Sequence, residues 1–243
     1  MMDDRMGKGM KRKRGGKQRQ YLEAAALLAA VLMALGGCGA EEGTPGDTVI
    51  QPEKSVVRVK AGDTTGSAVL RGVSIDGERT ILLTAGHVLE NLSTEELPTV
   101  IFEDGTERLC DGYVSSDSID AAVLYISDAK LAKQLQQDGC FAPEDMDRFD
   151  NLRDGDNCIA IGGGNSEERA VCTGEILNNW IYMEDYAQYM IWAEVKIHSG
   201  MSGGGLFDSE GYFLGILSGG SEDGQLAAVP LSLILSEFHN SLD

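Results

Sequence analysis

The stretch Lys196-Ile197-His198-Ser199-Gly200-Met201-Ser202-Gly203-Gly204-Gly205-Leu206-Phe207 sets one serine, Ser202, among closely spaced glycines. Such a segment suits a tight turn that aims two backbone N–H groups at a single point. An acyl-transfer nucleophile needs that geometry, because the tetrahedral intermediate carries negative charge that only backbone free of side chains approaches closely. By itself, a Gly/Ser cluster between strands is an ordinary turn. What separates the two readings is whether the upstream chain supplies a base and an acid to orient it.

From Ser55 onward, short apolar runs recur at regular intervals: Val56 to Val59, Gly66 to Leu70, Arg79 to Thr84, Thr99 to Phe102, Ala121 to Ile126 and Cys158 to Ile161. Each is bounded by Gly, Asp, Asn or Ser, and Val, Ile and Thr are frequent. Many short strands between turn signals predict an all-β barrel or sandwich. Helical spacing is confined to Asp128 to Gln137 and to a terminal stretch, Leu231 to Phe238. With 243 residues, 42% hydrophobic, 31 glycines and five prolines, the chain is turn-rich and globular rather than disordered.

Two residues in this frame are placed for chemistry. His87 follows Ile81-Leu82-Leu83-Thr84-Ala85-Gly86, so a buried strand ends in a small-residue turn that presents an imidazole at the sheet edge. Asp120 opens the buried run Ala121-Ala122-Val123-Leu124, where a desolvated carboxylate needs a hydrogen-bond donor. An imidazole N–H is such a donor. Asp111 and Asp117 lead into no apolar strand and read as loop acids. A serine hydroxyl needs a base that works near neutral pH, and a histidine base needs a carboxylate to hold its tautomer.

Thr84-Ala85-Gly86-His87-Val88-Leu89, Ile119-Asp120-Ala121-Ala122-Val123-Leu124 and Gly200-Met201-Ser202-Gly203-Gly204 resemble, in that order, the His, Asp and Ser motifs of the trypsin-like (chymotrypsin-fold) serine peptidases. The resemblance spans roughly residues 55 to 240 and is greatest to compact bacterial proteases related to the HtrA (Deg) group. Gly66-Ser67-Ala68-Val69-Leu70 is similar to the family's strand leading to the histidine, and Gly215-Ile216-Leu217-Ser218-Gly219-Gly220 to the strand lining its substrate cleft. The resemblance implies an all-β fold of two packed six-stranded antiparallel β-barrels with a short C-terminal helix, the barrels meeting between residues 140 and 156. It implies Ser202 as nucleophile, His87 as general base and then acid, Asp120 as orienting carboxylate, and the N–H groups of Gly200 and Ser202 as the oxyanion hole.

Two departures from the family pattern carry consequences. Digestive trypsins have an aspartate just before the serine that pairs with a new N-terminus after zymogen cleavage; here that position is Met201, so no such activation is expected. The 41 residues after Ser202 leave no room for the peptide-binding PDZ domain of HtrA proteins. By the resemblance, the substrate pocket involves Lys196, Ile197, Leu217, Ser218, Gly219 and Ala228. Its apolar members imply a small aliphatic side chain, whereas Lys196 or His198 pointing inward would favour an acidic one. A buried lysine without a partner is costly, so Lys196 is expected at the rim and His198 in a loop.

The N-terminus reads as an address. Basic Lys11-Arg12-Lys13-Arg14 precedes Ala24 to Gly37, fourteen uncharged residues, the n-region and h-region of a secretory signal. Leu35-Gly36-Gly37-Cys38 is similar to the bacterial lipobox, in which the cysteine is lipidated before the signal is removed. Residues 1–37 are thus expected to be a lipoprotein signal peptide, 38–54 a lipidated Cys38 with a flexible spacer, and 55–243 the protease domain. The alternative is an uncleaved signal anchor with Cys38 idle. Either way the body faces the outside of the cytoplasmic membrane, in the bacterial cell envelope.

Residues 1–37 hold eight of the 20 Lys/Arg and three of the 39 Asp/Glu, which leaves 12 basic against 36 acidic residues, a net −24, in the remainder. A body this acidic repels nucleic acid and anionic membrane surfaces, so neither is expected as a ligand of the folded part. The partners expected are a protein or peptide substrate and, through the anchor, a membrane. Cys110, Cys140, Cys158 and Cys172 allow three pairings. Cys158 with Cys172, flanking a hairpin-like segment, is the first choice, and free buried thiols are the alternative. There is no metal-ligand spacing, and no cofactor is expected. The functional reading is an extracytoplasmic, membrane-tethered serine endopeptidase; the rival is a catalytically inactive protein of the same fold that binds a peptide or protein partner.

Overall fold

The computed structural model describes residues 50–93, 95–163, 169–221 and 223–242. The signal segment, Cys38 and most of the spacer lie outside the described residues.

The N-terminal half is a seven-stranded antiparallel sheet made of β1 (Val56–Ala61), β2 (Thr64–Val73), β3 (Arg79–Thr84), β4 (Thr99–Ile101), β5 (Glu107–Leu109), β6 (Gly112–Ser115) and β7 (Ala122–Ser127). Its spatial order is β5-β4-β1-β2-β3-β7-β6, with β5 and β6 at the two ends of the ladder. This is one strand more than the six expected, and the ladder runs open. The C-terminal half is a closed six-stranded barrel built from β8 (Asn157–Gly162), β9 (Ala170–Met183), β10 (Gln188–Glu194), β11 (Gly205–Asp208), β12 (Phe213–Gly220) and β13 (Gln225–Pro230), ordered β10-β13-β12-β11-β8-β9. In β3, Thr80 to Thr84 are all buried, as suits a short, unbroken run in a strand covered on both faces.

Two helices connect the halves, α1 (Ala129–Gln137) and α2 (Met146–Asp150). Both start on an aspartate cap. Asp128 accepts from the N–H groups of Lys130 and Leu131, and Asp145 from those of Asp147 and Arg148, which satisfies helix donors that have no partner within the helix. A third helix, α3 (Leu231–Glu237), packs Leu231 and Ile234 into the core near the C-terminus.

The expected spacer ends earlier than residue 54. Pro52–Ser55 form a 3-10 turn in which Pro52 and Ser55 are buried and the Ser55 hydroxyl donates to the Pro52 carbonyl at 2.7 Å. Ile50 also lies close to Gly211, so the folded body begins near residue 50. A proline side chain covered by the body is held by burial, which composition alone does not reveal.

The Cys158–Cys172 disulfide does not form; Cys110, Cys140, Cys158 and Cys172 are free thiols. The cause is strand register. In the β8–β9 ladder Cys158 lies opposite Gly174 and Cys172 opposite Ala160, so the two cysteines are diagonal neighbours rather than a facing pair. Diagonal positions stand roughly 7–8 Å apart, too far for a bridge without moving backbone. Burial pushes the Cys158 thiol up to about 12, with the Glu175 charge adding to it, which keeps the thiol in its unreactive protonated form.

Candidate active site

The first half of the site is a product of register. β3 and β7 pair antiparallel with Thr84 opposite Ala122. The chain leaving Thr84 and the chain entering Ala122 therefore emerge side by side, and His87 and Asp120 lie three and two residues along them. His87 sits on a short 3-10 turn, Gly86–Val88. Gly86 permits the approach: a Cβ there would come within 3.3 Å of both Asp120 Oδ1 and the Ala121 nitrogen.

His87 Nδ1 lies 2.8 Å from Asp120 Oδ2, and the His87 backbone N–H donates to Asp120 Oδ1 at 2.9 Å. A carboxylate only accepts, so the neutral imidazole carries its hydrogen on Nδ1 and keeps a lone pair on Nε2. The Ser218 hydroxyl donates to Asp120 Oδ2, and the Asp120 N–H donates to Gln188 Oε1 at 3.2 Å. The hydrogen bond that His87 donates to Asp120 raises the His87 pKa above the ordinary 6.5; burial opposes it, and the charges of Asp120 and Glu90 reinforce it. Burial works to raise the Asp120 pKa, but the hydrogen bonds from His87 and Ser218 outweigh it and hold the carboxyl below 3.8. The two side chains remain 37% and 20% exposed, so the pair opens onto solvent.

The second half is the turn between β10 and β11. Gly200 and Gly203 adopt φ of +89° and +83°, a conformation that disfavours any side chain. A Cβ on Gly203 would also run into the Ser67 carbonyl and the Thr84 hydroxyl. Met201, the residue in place of an aspartate, is wholly buried. Its sulfur accepts the His198 N–H at 3.3 Å and its own N–H donates to the His198 carbonyl at 3.2 Å. It lies on Gly162, where a Cβ would fall 2.6 Å from the Met201 Cα. Hydrophobic packing and a thioether contact thus hold the turn where trypsins use an ion pair.

Ser202 is fixed beside the first half: its carbonyl accepts the Ser67 N–H at 2.8 Å, and Gly66 touches both that carbonyl and Val88, the neighbour of His87. Among the described residues, no hydrogen bond joins the Ser202 hydroxyl to His87, and no protein acceptor takes the N–H of Gly200 or of Ser202. Catalytic hydrogen bonds in unliganded sites are commonly long and tighten only on substrate.

The expected pocket residues divide. Lys196 is exposed at the rim beside Gly224, and His198 is exposed in the loop. Ile197 packs on Gly220, where a Cβ would meet its Cγ1 at 2.7 Å. Leu217 and Ala228 face each other across β12 and β13 and are wholly buried. Gly219 lies under the Tyr186 hydroxyl. Ser218 has a different task from the one expected. The β12–β13 register slips between Leu217 and Gly219, and this bulge turns the Ser218 hydroxyl onto Asp120.

Gln188, Tyr186 and Ser67 are part of the site and were not singled out by pattern. Tyr186 precedes Ala187, the one non-glycine residue with positive φ (52°) among the described residues. With His87, Ile119, Asp120 and Ser218, Tyr186 lines a cleft of about 520 Å³. A larger cavity of about 1090 Å³, against Ile50, Arg58 and Phe102, shares none of these residues. Of the missed residues, Ser67 alone had a signal in sequence: a polar residue at the head of an apolar run, as at Asp120.

Comparison with known proteins gives the following. A profile of the trypsin-like peptidase domain matches residues 66–216. The HtrA-type protease AlgW with a tripeptide is similar in structure, with a TM-score of 0.64 and 25% identity over 79% of this chain and 61% of that one. A serine endoprotease from Yersinia pestis gives 0.62 and 24%, over 77% and 62%. The Rv3671c protease of M. tuberculosis in an inactive form gives 0.59 and 17%, over 78% and 89%. The chain thus spans about three fifths of the length of the HtrA-type proteases it matches. Among curated protein sequences no match is found.

The raised His87 pKa has a signed consequence. Pairing of protonated His87 with ionised Asp120 stabilises the fold fully below the ordinary histidine value and above the ordinary carboxylate value. It fades as pH rises through the raised His87 pKa or falls through the lowered Asp120 pKa. A base must be neutral, so kcat/KM for a peptide substrate is expected to fall on the acid side with an apparent pKa above 6.5. In Asp120→Asn that limb is expected to move to lower pH; an unmoved limb would mean that another group governs it.

Proposed function

Since the chain belongs to the trypsin-like peptidase family, we propose that it is a serine endopeptidase of the bacterial cell envelope that hydrolyses peptide bonds of extracytoplasmic protein. The observation that carries this reading is the His87 ring, bonded through Nδ1 to a carboxylate that is itself gripped by Ser218 and the His87 N–H. The His87 pKa is raised and Nε2 is left as the base, with the turn that carries Ser202 as its partner in this reading.

In this mechanism Nε2 of His87 takes the Ser202 hydroxyl proton as Oγ attacks the scissile carbonyl carbon. The resulting oxyanion is held by the N–H groups of Gly200 and Ser202, while Asp120 stabilises the imidazolium. Collapse of the intermediate breaks the C–N bond, and His87 gives the proton to the leaving amine. Water, activated by the same imidazole, then hydrolyses the acyl-serine. A preference for a small aliphatic side chain before the scissile bond is part of this reading, supported by the apolar Ile197 packed on Gly220. AlgW is known with a tripeptide, and binding of a peptide substrate is part of this proposal.

The proposal includes a lipid tether at Cys38, supported by the Leu35-Gly36-Gly37-Cys38 motif directly after an apolar run. Cys38→Ser is expected to shift the protein from the membrane fraction to the soluble one, and unchanged fractionation would rule the tether out.

A fluorophosphonate probe is expected to label the wild type at Ser202 and to leave Ser202→Ala unlabelled. His87→Ala is expected to lose turnover by a factor of order 10⁴ to 10⁶, close to the serine change, because residues acting as a unit fail together. Well-folded wild type that resists the probe would favour a binding protein over an enzyme.

A further inference from the structure

We propose that Ser67 is a positioning residue for the nucleophile turn: its hydroxyl, on the sheet that carries the base, sets the peptide plane between the two oxyanion-hole donors. The role rests on the peptidase reading above. Ser67 lies on β2 and is wholly buried. It makes four hydrogen bonds, and three partners belong to the other half of the fold. Its N–H donates to the Ser202 carbonyl at 2.8 Å, and its hydroxyl donates to the Gly200 carbonyl at 2.9 Å. The hydroxyl oxygen accepts the Gly163 N–H at 2.7 Å, and its carbonyl accepts the Thr84 hydroxyl at 2.6 Å.

The chemistry of the partners fixes the direction of each bond. The Gly163 N–H can only donate and the Gly200 carbonyl can only accept, so the single Ser67 hydroxyl hydrogen points at Gly200 without an alternative. The peptide from Gly200 to Met201 is planar, so holding its oxygen holds the whole plane. On one side of that plane lies the Gly200 N–H, and on the other the Ser202 N–H. Gly200 has no side chain of its own and sits at φ +89°; the Met201 N–H holds one edge of the plane from within the turn, through the His198 carbonyl at 3.2 Å, and Ser67 holds the opposite, carbonyl edge from outside.

Ser67 supplies that hold from the sheet that carries His87. Thr84, whose hydroxyl fastens the Ser67 carbonyl, ends the strand that delivers His87 three residues later. One residue therefore ties the base and the oxyanion donors to a common reference. A buried hydroxyl at the head of Ala68-Val69-Leu70 is costly unless bonded, and here both its donor and its acceptor capacity are used.

The experiment compares wild type, Ser67→Ala and Ser67→Cys, the last keeping a weak donor at similar size. It reads kcat and KM on a peptide substrate, normalised to sites labelled by a fluorophosphonate, together with the melting temperature and the Ki of a peptide boronate. A boronate adduct is tetrahedral and needs the oxyanion donors, whereas KM reports mostly substrate contacts. Ser67→Ala is expected to lose kcat by about 10- to 100-fold, below the loss of an oxyanion donor itself, with KM within about twofold. The boronate should weaken by the same factor as kcat, and Ser67→Cys should fall between the two. Should Ser67→Ala fail to fold, the cysteine variant carries the comparison. A variant with a lower melting temperature but wild-type kcat and Ki per labelled site would overturn the role and leave the peptidase reading intact. Wild type that neither labels nor turns over would overturn both.

Discussion

The hydrogen bond between His87 and Asp120 is set by a strand register before it is set by either side chain. Thr84 opposite Ala122 brings the two loops out together, and a slip of one residue in the β3–β7 ladder would send every side chain on one strand to the opposite face. The core guards against that slip. Leu82, Leu83, Val123 and Leu124 are wholly buried, so a slip would break close packing on both faces of the sheet at once. Site geometry and core packing are thus one constraint: the residues that make the sheet stable also fix where imidazole meets carboxylate.

The nucleophile turn uses a different principle. It lies between two strands of the barrel, carries no side chain able to make a strong internal contact at Gly200, Gly203 or Gly204, and has no ion pair to close it. What holds it comes from three directions: the Met201 side chain over Gly162, the Ser67 bracket from the first sheet, and the Gly203 N–H to the Leu217 carbonyl at 2.8 Å. Because the Ser67 bracket reaches across the junction of the two halves, assembly of the halves also braces the turn.

How much of this could be read beforehand varies with the range of the interaction. The strands carrying His87 and Asp120 were legible because each is a short, unbroken apolar run ending in a reactive side chain. The helix Ala129–Gln137 was legible from its spacing. β9 was not, since Ala170–Met183 alternates exposed and half-buried positions and includes polar residues throughout. The count of strands in the first half, the offset of Cys158 from Cys172 and the slip that redirects Ser218 all depend on pairing between distant segments, which no local pattern encodes. Ser67 stands between these cases: a serine heading an apolar run is visible, but its distant partners Gly163, Gly200 and Ser202 are not.

The central claim is that Asp120 holds His87 as a base with its hydrogen on Nδ1. Nitrogen-15 NMR of the imidazole tests it most directly, because protonated and unprotonated ring nitrogens have separate shifts. With the ring neutral, the account predicts a protonated Nδ1, an unprotonated Nε2 and a titration midpoint above 6.5. A neutral ring with its hydrogen on Nε2, or a midpoint below the ordinary histidine value, would contradict it.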